Sequence, residues 1–353
     1  LNIPTATYNP LKHLQPLSPS FAADCRRIAE GLVNVEKADH WELSALDVVT
    51  LLIMWTVIFE DEKDLITVRR LLNQTDSERI VFFETMRGCP HPQIAEGATR
   101  YMADSKEVKD CIQTAVVQLG FLRDAGIERV LRGGGKEVSF AELKRQRMTV
   151  YLIIPPELLH THGRFLRLLV MSALNELFKE RTNPESPVLF MLDEFAQLGA
   201  MPIIENAASI VRDYKIRLWP ILQNIPQLKT LYGQKWESFL SSAGILQFFT
   251  PNDLETAKYI SDRSGTRIVM KKSTSSGMSK STGGANGSVS SSQSESYTEA
   301  KEPVLSVQEV FDRNASSQML FAPNVGTVMV SARIPYYKQE ELKALAAPDP
   351  YNS

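Results

Sequence analysis

Val188-Leu189-Phe190-Met191-Leu192-Asp193-Glu194 is a run of five apolar residues that ends on two acids. Its length and composition suit a strand buried on both faces. Such a strand delivers its last residues to the carboxyl edge of a parallel sheet, where open α/β sheets bind ligands. Adjacent carboxylates at that edge match the acids of a P-loop nucleotide hydrolase. Asp193 would hold a magnesium ion, usually through water, and Glu194 would orient and activate the attacking water. The bland alternative is a buried strand running into an acidic loop, and these residues alone do not separate the two.

The neighbouring segments extend this pattern. Ile216 to Leu222 reads as a second strand, and it ends in Gln223-Asn224. The Gln223 amide suits a sensor of the γ-phosphate or its water; the competing reading is a turn amide that satisfies backbone groups. Arg212 falls at the end of an expected helix, Ile203 to Tyr214, with Arg217 just beyond. A guanidinium at such an edge can serve a neighbouring subunit as an arginine finger. It can equally be a helix-end cation that complements the macrodipole, with Arg217 as the finger instead. Thr149 to Ile154 and Ile245 to Thr250 are further strand-like runs, separated by an amphipathic stretch at Arg164–Lys179 and a helical one at Trp236–Ser241. Asn252-Asp253-Leu254-Glu255 has capping-box spacing before another helix. Short buried strands alternating with helices predict a parallel sheet covered on both faces.

Upstream the pattern is different. From Ser20 to Arg147 apolar residues recur at three-to-four spacing with little strand-like alternation, which predicts a helical domain closed by the Gly133-Gly134-Gly135 turn. The proline-rich residues 1–19 are expected to be extended. Lys271 to Ala300 is dominated by Ser with Gly, Thr and Asn and is expected to be a flexible loop. Structure should resume with a short helix at Ser306–Phe311 and a last strand at Thr327–Ala332.

Composition constrains function weakly. The 353 residues are 43% hydrophobic and 23% charged, with a net charge of -2. That balance gives no global drive toward nucleic acid or anionic membrane, so DNA contact would need a local basic patch or a pore built from several copies. Cys25, Cys89 and Cys111 have no C-x-x-C spacing, and Cys89-Pro90-His91 is a poor metal pattern. His160 and His162 are expected at the surface. The apolar stretch Leu46–Phe59 is interrupted by Asp47 and reads as a buried core helix. No G-x-x-x-x-G-K-[ST] occurs, and Gly133-Gly134-Gly135-Lys136 lacks both the spacing and the hydroxyl of a phosphate cradle.

Several segments in order now carry a resemblance. They are Tyr8-Asn9-Pro10-Leu11, Trp41-Glu42, Thr149-Val150-Tyr151-Leu152 and Leu192-Asp193-Glu194-Phe195-Ala196-Gln197-Leu198-Gly199. Gln223-Asn224-Ile225-Pro226-Gln227-Leu228, Leu231-Tyr232-Gly233 with Trp236-Glu237-Ser238-Phe239, Asn252-Asp253-Leu254-Glu255-Thr256-Ala257 and Ile334-Pro335-Tyr336-Tyr337 follow. Together they resemble the type IV coupling protein family, the TraG-like conjugative ATPases, over nearly the whole chain.

The resemblance implies an α/β fold: a RecA-like P-loop NTPase core, with a parallel sheet flanked by helices, carrying an inserted all-α domain. Residues 1–19 would be an extended segment of the nucleotide-binding domain and 20–147 the inserted domain. Residues 148–270 would form the Walker B and sensor part, 271–300 the flexible loop, and 301–353 the C-terminal part and tail. It implies ATP and Mg2+ as cofactors and a homo-hexamer at the cytoplasmic face of the bacterial inner membrane. Such a motor receives relaxase-bound DNA or effector proteins and hands them to type IV secretion channel components. The family's transmembrane helices and phosphate loop would precede Leu1, so this portion alone is expected to be inactive. A non-catalytic docking module and a chromosome-segregation DNA translocase are the alternatives; a coupling protein better suits the helical insert and the Ser-rich loop.

Overall fold

The computed structural model describes residues 5–35, 39–201, 203–204, 211–280, 289–323 and 326–345. The chain divides into two compact units, Leu1–Leu222 and Gln223–Ser353.

Short polar side chains set most helix starts in the first unit by accepting otherwise unpaired backbone N–H groups. After α1 (Phe21–Leu32), Asp39 caps α2 (His40–Phe59) and Asp64 caps α3 (Leu65–Leu72). Thr75 and Glu78 form a reciprocal capping box on α4 (Asp76–Arg87), and a proline opens α5 (Pro92–Thr99). Ser105 caps α6 (Lys106–Gln118), and Asp124 caps α7 (Ala125–Leu131). The single turn α8 (Glu142–Arg145) and the long α9 (Leu159–Lys179) follow. By length and composition α2 could cross a membrane, but 67% of its most apolar window is buried inside the unit. Helices α1, α3, α5 and α6 contact it, and Val48, Val49, Leu52 and Ile53 are buried.

Among the described residues of the segment expected to be extended, 10–13 and 16–19 turn or bend; Thr7 bridges another strand-like piece, and Tyr8 N donates to Val130 O in α7 at 2.9 Å. Thr7 bridges Glu137 in parallel, with Thr7 N donating to Lys136 O at 2.9 Å and Val138 N to Thr7 O at 2.9 Å. The Tyr8 hydroxyl donates to Glu176 Oε1 on α9 at 2.8 Å, and Ala141 N donates to Oε2 at 3.1 Å. Burial, reinforced by the Glu176 charge, pushes the Tyr8 hydroxyl well above its ordinary pKa. Gly133 and Gly134, at φ 77° and 89°, provide the left-handed turn that returns the chain to Thr7.

β1 (Val188–Leu192) and β2 (Ile216–Pro220) pair in parallel with Leu192 opposite Pro220. Among the described residues this pair is packed on one face. Val188, Leu192 and Ile216 are buried, whereas Leu189, Met191 and Trp219 are 52%, 57% and 45% exposed. Side chains alternate along a strand, so one face of the pair packs and the other stays open. Thr149–Ile154 forms no strand. Its Val150 and Ile154 pack on the core while Tyr151 and Ile153 are exposed; a β-prone run needs a partner's ladder bonds, and none pairs with it among the described residues. The expected helix Ile203–Tyr214 is helical at 203–204 and turns at 211–215; its middle lies outside the described residues.

The second unit contains α10 (Ile225–Tyr232), α11 (Trp236–Ser241), α12 (Leu254–Arg263) and α13 (Val307–Phe311). Asp253, not Asn252, caps α12 by accepting from Thr256 N at 2.8 Å. β3 (Leu246–Phe248) joins β6 (Ser317–Phe321) and β7 (Met329–Ala332) in an antiparallel sheet. In place of an irregular loop, β4 (Thr266–Lys280) and β5 (Val289–Pro303) form an antiparallel ladder from Thr266↔Pro303 to Lys280↔Val289. Its low apolar content does not prevent this, because the inward-facing N–H and C=O groups of each strand are satisfied by the other without a core. The Ser-rich tip, residues 281–288, lies outside the described residues. A terminal single turn, α14 (Glu340–Lys343), ends the described chain.

Candidate active site

The parallel pair extends one step beyond its last register. Ile221 N donates to Leu192 O at 2.9 Å, and Phe195 N donates to Ile221 O at 3.0 Å. Asp193 and Glu194 therefore form a turn at the carboxyl end of β1, stitched on both sides to the chain leaving β2. Asp193 is exposed and Glu194 half-buried. Asp193 Oδ1 accepts from Glu194 N at 3.0 Å. Glu194 adopts φ 48° and ψ 43°, left-handed for an L-residue. Among the described residues only Lys215 is the other non-glycine with positive φ, and its carbonyl accepts from Val188 N at 2.8 Å at the opposite end of the same pair. The 3-10 turn Phe195–Leu198 follows, with Phe195 fully buried, and Gln197 N donates to Glu194 O at 2.8 Å.

The other candidates are distributed around this pair. Arg212 is exposed in the turn before β2, at the amino end of the pair and so roughly 13 Å of strand from the acids. Arg217 sits on β2 opposite Leu189, on the open face. Within one chain neither arginine shares the end of the pair that carries the carboxylates. Gln223 begins the second unit, exposed, where its backbone N–H donates to Gln227 Oε1 at 3.1 Å. Asn224 accepts from Gln227 N at 3.0 Å and caps α10.

Three residues that periodicity did not single out hold the acidic turn from below. A Cβ on Gly163 would lie 2.6 Å from Gln197 O. Arg167, 4% exposed, reaches the carbonyls of Leu198 and Ala200. Gly199, at φ 71°, leaves no room for a side chain without crowding Asn34 and Arg167. A glycine inside the helical pattern of α9 was the available signal for this close approach. The Gly133-Gly134-Gly135-Lys136 turn belongs to the Thr7 bridge, as above. His162 is half-buried, with Nε2 3.6 Å from Asp124 Oδ2, rather than at the surface; the His160 side chain lies outside the described residues. Cys89 Sγ approaches His91 O at 3.6 Å.

A family model described as type IV secretory system conjugative DNA transfer matches residues 1–350. The chain belongs to this family. The probable conjugal transfer protein TraG of Sinorhizobium fredii is 31% identical over 216 residues, 60% of this chain and 32% of that relative. The chain thus spans about a third of that relative's length. The solved structure of the bacterial conjugative coupling protein TrwBdeltaN70 superposes with a TM-score of 0.69 at 15% identity, covering 94% of this chain and 71% of that one. Plasmid coupling protein TrwB in complex with ADP and Mg2+ gives 0.67 at 14% identity, covering 94% and 71%. These likenesses establish the fold, an α/β RecA-like core carrying an all-α domain.

In this member of the conjugative transfer family, the donor set at the turn fits magnesium. Mg2+ takes one or two protein carboxylates and completes its shell with water and phosphate oxygens. Asp193 offers one exposed carboxylate at the end of a strand that is buried on one face. Among the described residues there is no group of three or more His, Cys, Asp or Glu side chains that could instead enclose a metal.

Proposed function

We propose that this chain supplies the water-activating side of an ATP-driven motor that moves relaxase-bound DNA or effector proteins into a type IV secretion channel. The observation that carries the proposal is the acidic turn: two carboxylates at the carboxyl end of a parallel strand, the second held in a left-handed conformation by backbone bonds to β2 and to Gln197. TrwB, which shares the fold, has been solved with ADP and Mg2+, and that supports nucleotide and magnesium as the ligands here.

When bound, magnesium would offset the charge of the phosphates. Asp193 would hold it through water, and the Glu194 carboxylate would accept a hydrogen bond from the attacking water and draw off its proton. The Gln223 amide would contact that water or the γ-phosphate. The assembly we propose is a homo-hexamer at the cytoplasmic face of the bacterial inner membrane, with residues 20–147 as an all-α domain that meets cargo. Arg212, at the amino end of β2, would then serve a neighbouring subunit's site in trans.

Plasmid transfer between cells tests the proposal. A strain whose natural protein carries Glu194→Gln should lose transfer by orders of magnitude at unchanged protein level. Wild-type transfer frequency with that substitution would contradict it.

A further inference from the structure

Beneath the acidic turn, α9 presents Gly163 and Arg167 on one face, four residues apart. The 3-10 turn after Glu194 lies directly on that face. Gly163 admits the Gln197 carbonyl where any Cβ would come within 2.6 Å, and Gln197 N is the donor that holds Glu194 O at 2.8 Å. One turn further along α9, the buried Arg167 guanidinium donates through Nη1 to Leu198 O at 3.4 Å and also to Ala200 O. Its Nε donates to Glu30 O near the end of α1 at 3.3 Å. Gly199 threads between Arg167 and Asn34, the latter just past α1: an added Cβ would meet Asn34 Nδ2 at 3.3 Å and Arg167 Nη1 at 3.6 Å. A guanidinium is suited to this, since its donors diverge in a rigid plane and can serve several carbonyls at once.

We infer that Arg167 is a positioning residue for the hydrolysis proposed above, an inference that rests on that reading. By gripping the backbone at 198–200 it fixes the turn that aims the Glu194 carboxylate. By gripping Glu30 O as well, it ties that aim to the end of α1 in the helical region. A shift of α1 against α9 therefore reaches the Glu194 backbone through Arg167, the covalent chain from Leu198 to Gln197, and the bond from Gln197 N to Glu194 O. Misplacing a catalytic group by about 1 Å can cost roughly a hundredfold in rate.

The test compares variants of the natural protein that contains these residues, assayed below their melting transitions. Arg167→Met should lower kcat about 10- to 100-fold with KM for ATP within about twofold, because nucleotide contacts are untouched. Arg167→Lys, whose ammonium can still bind the Leu198 and Ala200 carbonyls, should recover most of kcat. A role confined to stability would lower Tm in both variants and leave kcat of the folded protein at the wild-type value. Unchanged kcat in Arg167→Met while Glu194→Gln is inactive overturns the inference and leaves the proposed function standing. Full activity in Glu194→Gln overturns both. Should Arg167→Met fail to fold, Gly163→Ala decides: it displaces the Gln197 carbonyl while keeping the buried charge satisfied. Loss of kcat at constant KM supports the inference, and wild-type kcat overturns it.

Discussion

Glu194 holds a conformation that costs an L-residue roughly 1–2 kcal/mol, and such strain persists where the surroundings over-determine it. The bonds around it include Phe195 N to Ile221 O at 3.0 Å, Gln197 N to Glu194 O at 2.8 Å and Glu194 N to Asp193 Oδ1 at 3.0 Å, none of which uses the Glu194 side chain. Asparagine tolerates left-handed backbone better than glutamate. Glu194→Asn should therefore match or exceed the wild-type stability, by up to about 1 kcal/mol, read as an equal or higher Tm, while removing the carboxylate proposed to activate water. A clear fall in Tm would show that the side chain, not the backbone, holds the turn. At Cys25 burial, with a smaller contribution from the Asp24 charge, pushes the thiol up to about 12. Iodoacetamide at pH 8 should label Cys25 only after denaturant is added, as read by mass spectrometry. Rapid labelling of the native protein would contradict its burial. The adjacent acids were legible in the sequence because an apolar strand run fixes which end of the strand they occupy. Arg167 was not, because an arginine in an amphipathic helix reads as part of a solvated face.

Helices were the most legible elements, since caps and periodicity are local. Strands depend on a partner that may be far away in sequence: Val188–Leu192 finds Ile216–Pro220, whereas Thr149–Ile154 has the same composition and pairs with nothing described. The Ser-rich ladder was missed for the converse reason, as backbone pairing leaves no mark on apolar content. Because Ser273 to Gly277 and Ser291 to Tyr297 are exposed, the outer ladder should contribute little to stability. Replacing Thr274–Glu295 with an Asn-Gly turn should shift Tm by less than about 2 °C. A loss of many degrees would show that the outer ladder is packed. The tie between α1 and α9 has a pH signature. Asp24 accepts from Ser20 at 2.9 Å and lies 2.8 Å from Lys179 Nζ. Burial alone would raise its pKa, but Lys179, Ser20 and Arg27 more than offset it, and the carboxyl sits below its ordinary value. Its stabilising contribution is thus complete above the unfolded value of about 3.9 and is lost as pH falls through the lower folded one. Asp24→Ala should melt below wild type at pH 7, with the two Tm values converging as the solution is acidified below about pH 4. A Tm gap that persists at low pH would assign the effect to packing rather than charge.

At the scale of the whole molecule, the acids belong to the first compact unit and Gln223 opens the second, while Arg212 stands at the wrong end of the strand pair to serve its own chain. Under the proposed function Arg212 would therefore act on a neighbouring subunit's site. Arg212→Ala should abolish turnover while leaving nucleotide binding intact, and mixing it with Glu194→Gln protein should recover partial activity through interfaces that join a sound finger to a sound site. Normal turnover in Arg212→Ala, with loss in Arg217→Ala, would move the finger onto β2. The most direct test of the account concerns Glu194 alone. ATP affinity by calorimetry and steady-state hydrolysis should be measured side by side on the natural protein and its Glu194→Gln variant. The account predicts unchanged affinity with hydrolysis slowed by orders of magnitude, since the substitution keeps the side chain's shape and removes the group that activates water. Hydrolysis at the wild-type rate would contradict it.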